Sequence, residues 1–127
     1  MPNSTFGQKQ STIDAKKLAA TNSLRIISHV ILQLENKAHW NKNSTFQEKC
    51  DQSSEVQTLR CAIKKAQIEI TGKFENRTPF MKIIRKKIRK YFFFRQGVHP
   101  INSFNTNKKT THKELLFLLD SVKTELE

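Results

Sequence analysis

Residues 78–95 read TPFMKIIRKKIRKYFFFR. Thr followed by Pro is a helix start. Proline's missing N–H sits where the helix would leave that donor unpaired anyway, and the threonine hydroxyl can cap the first turn. Behind that start, Phe80, Ile83, Ile84, Ile88, Tyr91 and Phe94 fall on one side at a helical repeat, while Lys82, Arg85, Lys86 and Arg89 fall on the other. The pattern predicts one amphipathic helix to about Arg95, closed by Gly97. Two positions break the separation: Lys87 and Arg95 intrude into the apolar side and must snorkel or meet a partner. Phe93 lies within the basic face, with Lys90 adjoining it, where packing does not require an aromatic.

Working outward, three more amphipathic stretches appear. Val56, Leu59, Ile63, Ala66 and Ile70 step by three and four and predict a helix over 54–74, with Ser54 as its cap and Gly72 with Asn76 as its stop. Ile13, Ala20, Leu24, Ile27, Ile31, Leu34 and Ala38 predict a helix over 12–38. Thr111-His112-Lys113-Glu114 is a capping box ahead of the stripe Leu115, Leu119, Val122 and Leu126. Residues 1–11 are expected to be a disordered arm, and 12–127 a single helical-bundle domain.

The connections run long, short, long. Residues 39–53 are polar with Trp40 and Phe46 as isolated anchors. About four residues join the second and third helices. Residues 97–109 form the second long connection, which Val98, Ile101 and Phe104 should tie down. Two long crossovers around one short link are what an up-up-down-down bundle requires. The expectation is therefore an all-α four-helix bundle with two long crossover loops, its first two helices parallel.

Composition agrees with an all-helical chain. Of 127 residues, only three are Gly and three Pro, too few for a turn-rich β-sandwich. No apolar run approaches the length needed to cross a bilayer, and residues 1–17 hold no continuous apolar stretch of the signal-peptide kind. Lys and Arg number 23 against 11 acids, a net +12. Nine of those basic groups, and no acid, lie in 78–109. Charge concentrated in this way points to an anionic partner for that block, or to a solvated helix face.

No catalytic or cofactor motif stands out: there is no P-loop, dinucleotide-binding glycine loop or HExxH, and His29, His39, His99 and His112 are scattered. Cys50 and Cys61 leave two readings open. In one continuous helix they would stand about 16 Å apart and could not bond. If 39–53 is a loop, Cys50 can fold back onto Cys61. Asn43-Ser44-Thr45 and Asn76-Arg77-Thr78 are glycosylation sequons in predicted connections, and Asn3-Ser4-Thr5 is a third.

Over about residues 18–127 the chain resembles the short-chain four-helix cytokines of the interleukin-4, -9 and -21 kind. The likeness rests on IKKAQIEI, TPFMKIIRKKIRKYF and TTHKELLFLLDSVKTEL, and on NSTFQEKC with LRCAIKKA. It implies a secreted, extracellular ligand with no active site and no cofactor. It also implies a disulfide between Cys50 and Cys61 that ties the first crossover to the second helix. Exposed helix faces would then bind receptor chains: Lys82, Arg85, Lys86, Arg89, Lys90 and Phe93 on the third helix, and Arg25, His29 and Gln33 on the first. The same basic run suits heparin-like polyanions. The alternatives are a basic nucleic-acid-binding protein, an intracellular helical adaptor, or a third helix that docks on an anionic membrane or calmodulin, with a cytoplasmic or nuclear location.

Overall fold

The computed structural model describes residues 4–43 and 49–127, with side chains in the first helix described from Asp14 on. Among these residues the chain is all-helical: α1 (Ser4–Leu34), α2 (Leu59–Thr71), α3 (Pro79–Tyr91), α4 (Pro100–Thr106) and α5 (His112–Leu126), with 3-10 turns at Lys37–His39 and Phe93–Arg95. The signals at the helix starts act as the sequence suggests. The Thr78 hydroxyl accepts from Met81 N with Pro79 behind it, and Thr111 and Glu114 form the reciprocal capping box of α5. The cap of α2 is Thr58, not Ser54, so Val56 lies outside the helix and is exposed. Gly72 closes α2 with φ 86°, in the left-handed region that glycine adopts without a Cβ penalty. α1 starts ahead of the expected residue 12 and ends before residue 38.

The apolar stripes converge on one core. Ile26, Ile27, Val30 and Leu34 of α1 meet Leu59, Ile63 and Ala66 of α2, Phe80, Ile84 and Ile88 of α3, and Leu115, Leu118, Leu119 and Val122 of α5. α1 packs on α2 and α5, α3 packs on α5, and α4 bridges α3 to α2.

Side-chain contacts fix the helix directions, and they correct the expected topology. Gln33 donates to the carbonyl of Ala62 at 2.9 Å, and His29 is hydrogen-bonded to Glu69. Moving back along α1 therefore moves forward along α2, so the two are antiparallel. His112 donates to the Leu34 carbonyl at 2.7 Å, which sets the start of α5 at the end of α1. Arg95 meets Glu114 at 2.8 Å and Lys87 meets Glu125 at 2.9 Å, so α3 and α5 are also antiparallel. The long helices run up, down, up, down, and the up-up-down-down arrangement with parallel first helices does not hold.

The long crossovers spend their length at one end of the bundle instead of along it. An up-up link would have to travel the roughly 20 Å length of a helix such as α2. Instead Gln57 returns beside Trp40 in a parallel bridge, with Gln57 N donating to His39 O and Asn41 N to Gln57 O. Cys50 and Cys61 are joined, their Cα atoms 5.3 Å apart, which pins the loop to the first turn of α2. The second crossover holds α4, whose Asn105 locks the same end. Its Oδ1 accepts from Trp40 Nε1 at 2.7 Å and from Leu59 N at 3.0 Å, and its Nδ2 donates to Asn41 O at 3.0 Å.

Candidate functional site

The outer face of α3 carries the charge. Lys82, Lys86, Arg89 and Lys90 are exposed, and Arg85 is half-buried. Their settings differ. Lys86 lies 3.5 Å from Glu125, and Arg85 donates to the Asn76 carbonyl at 2.8 Å. Burial lowers the Arg85 pKa from its ordinary value, yet a guanidinium remains charged at neutral pH. Among the described residues no carboxylate stands within 4.0 Å of Lys82, Arg89 or Lys90. The ammonium of Lys90 instead lies 5.1 Å from the centre of the Tyr91 ring.

The two basic residues on the apolar side both find partners. Lys87 is nearly covered and meets Glu125; this hydrogen bond, with Lys86 adding to it, lowers the Glu125 pKa. Arg95 meets Glu114 and lowers that carboxyl's pKa in the same way, against a smaller opposing effect of burial. Each cation is thus held by a carboxylate of the chain.

Past Tyr91 the helix stops. Phe92 leaves helical geometry at φ −134°, ψ 45°, and a 3-10 turn carries Phe93 to Arg95. This break takes Phe94 off the apolar stripe where the helical repeat puts it: Phe94 is 95% exposed and Phe93 56%. Val98, expected to tie down the connection, is 88% exposed, whereas Ile101 and Phe104 are buried as expected. An open cleft of about 350 Å³ lies among Tyr91, Phe93, Phe94, Arg95 and Lys109. Lys109 and the outward-facing Phe94 and Val98 are parts of this surface that the helical repeat does not reveal. The only sequence signal for them is Gly97, whose φ of 52° sets the turn. A Cβ there would collide with the Ser103 side chain unless that side chain shifted.

On α1, Arg25 is exposed, but His29 and Gln33 are engaged inside the molecule. Gln33 donates to His29 Nδ1 at 2.9 Å as well as to Ala62 O, and His29 reaches Glu69, so the pair ties α1 to α2. Their polar groups are spent on these internal bonds and not on the α3 surface. Asn43 and Asn76 are both exposed, with Asn76 in the α2–α3 link. Ser44, Thr45, Phe46 and Asn3 lie outside the described residues. No described helix is long and apolar enough to cross a membrane. No protein-family model, curated protein or solved structure matches the chain significantly.

Proposed function

We propose that this protein is an extracellular, cytokine-like ligand that acts by contact, its α3 face binding the acidic surface of a cell-surface receptor chain. One observation carries the reading: Lys82, Arg89 and Lys90 stand exposed on one helix face with no carboxylate in ion-pair range among the described residues. Intramolecular pairing neutralises Lys87 and Arg95 but leaves these three, so their field projects outward, where it steers encounter and sets specificity. The bridged Cys50 and Cys61 suit an oxidising compartment, and the exposed Asn43 and Asn76 suit glycosylation there. The antiparallel α1 and α2 remove the topological support for the short-chain cytokine family. The candidate surface is therefore limited to α3.

The test uses fluorescently labelled protein on intact cells of its source, before and after trypsin strips surface proteins. We expect saturable, trypsin-sensitive binding. Lys82→Glu with Arg89→Glu should lower the association rate by about tenfold, with folding stability changed by no more than about 0.5 kcal/mol per site. Cell binding unchanged in that variant overturns the proposal. So does tighter binding to single-stranded RNA with a steep salt slope, the signature of phosphate neutralisation.

A further inference from the structure

The corner that follows α3 calls for a different kind of partner from the basic face. Within six residues, three apolar side chains stand in solvent: Phe93 at 56%, Phe94 at 95% and Val98 at 88%. The corner is built. The helix closes at Tyr91, the 3-10 turn lifts Phe94 out of the apolar stripe, and Gly97 takes a left-handed turn whose Cα faces the Ser103 side chain too closely for a Cβ unless that side chain shifts. Two cations adjoin it. Lys90 lies against Tyr91, Lys109 lines the cleft beside Phe93 and Phe94, and residues 78–109 contain no acid.

We propose that residues 91–98 dock on the surface of an anionic phospholipid bilayer, with Phe93 and Phe94 entering the interfacial layer and Lys90 and Lys109 meeting headgroup phosphates. Exposed aromatics beside cations are the elements of peripheral membrane binding. Apolar area enters the boundary between headgroups and acyl chains, and the basic groups add attraction to the negative surface. Two other polyanions fit less well. A sulfated polysaccharide uses the cations and leaves the three apolar side chains uncovered. Single-stranded nucleic acid stacks on open ring faces, but Phe93 and Phe94 meet edge to face, 5.3 Å apart at 84°, and Val98 has no ring. The proposal shares Lys90 with the receptor reading but is carried by the exposed Phe93, Phe94 and Val98, on which that reading does not rest.

The experiment sediments the full, disulfide-bonded chain with vesicles of phosphatidylcholine alone and of phosphatidylcholine with phosphatidylserine. We expect binding to the second and little to the first. Phe94→Trp should show a blue-shifted emission on the anionic vesicles; Trp40 is already buried and contributes a constant background. Phe93→Ser with Phe94→Ser should weaken vesicle binding by about tenfold or more and leave heparin binding unchanged. Lys109→Glu should weaken both. Circular dichroism checks that each variant is folded. The proposal is overturned by absent vesicle binding, by an unshifted Phe94→Trp emission, by vesicle binding unaffected by the serine pair, or by a larger effect of that pair on oligouridylate than on vesicles.

Discussion

Trp40, in the first crossover, and Phe94, where the chain leaves α3 for the second, are treated oppositely by the bundle. Trp40 is 8% exposed and Phe94 is 95% exposed. Trp40 has a polar atom that Asn105 satisfies, a backbone bridge to Gln57, and the His112 ring 5.8 Å away. Phe94 touches Phe93 and otherwise faces water. A buried indole needs its N–H paired, and α4 supplies that pairing while closing the first crossover. In the turn at 93–98, Arg95 is tied to Glu114, but Phe94 and Val98 remain in solvent. The first crossover is therefore part of the folded core, and the beginning of the second is surface available to a partner.

The contrast is tested most severely at Asn105. Asn105→Ala removes the acceptor shared by Trp40 Nε1 and Leu59 N and leaves two buried donors unpaired. A loss of about 3 kcal/mol is expected from urea unfolding, at one to three per orphaned group with partial relaxation. If the loss is under about 1 kcal/mol, the first crossover does not depend on α4. Next comes the bridge. Cys50→Ser with Cys61→Ser opens a loop of sequence separation 11, and chain entropy puts its stabilisation at about 2–3 kcal/mol, read in the same unfolding experiment.

Much of this was legible in the chain. The caps at Thr78 and Thr111, the four long amphipathic stretches and the exceptional status of Lys87, Arg95 and Phe93 all follow from local spacing. The structure gives each intruding cation a carboxylate and leaves Phe93 exposed. What was not legible depends on pairs far apart in sequence. Loop length is compatible with a crossover that travels the bundle and with one that doubles back. The choice was made by Trp40 meeting Gln57, and by Asn105 meeting residues 40, 41 and 59. The short α4 begins at a proline but is rich in Asn, so it reads as loop. The engagement of His29 and Gln33 follows from the direction of α2, which local spacing does not encode.

A smaller effect separates the fixed base of α3's end from the free corner beyond it. Arg95 holds Glu114, and that hydrogen bond lowers the carboxyl's pKa below its ordinary value of 4.5. A lowered folded pKa means that the contribution is fully present above the unfolded value and lost as pH falls through the folded one. Glu125 beside Lys87 follows the same rule. Glu114→Gln should therefore cost about 1 kcal/mol at pH 7. The gap to the parent protein should close as unfolding is repeated toward pH 3. A gap that stays constant with pH would assign the loss to the cap of α5 and not to the charge on Glu114.

The smallest effect on stability is expected at Phe94. Removing a buried phenylalanine commonly costs about 3–5 kcal/mol, because contacts vanish and a cavity remains. At 95% exposure Phe94 has neither contacts nor a cavity to lose, apart from its edge on Phe93. Phe94→Ser should thus move the unfolding midpoint by no more than about 0.5 kcal/mol in either direction. It should also reduce the apolar surface that the folded protein offers, so less of a hydrophobic dye or column matrix should bind at neutral pH. Phe104→Ala, ten residues on, is the matched comparison: Phe104 is fully buried, with the Phe92 ring 4.7 Å away, and should fall in the large-loss range. Similar losses at the two positions would mean that the 93–98 turn packs inward in solution. Phe94 would then be a second anchor of Trp40's kind, and the division between core crossover and free corner would fail at its sharpest point.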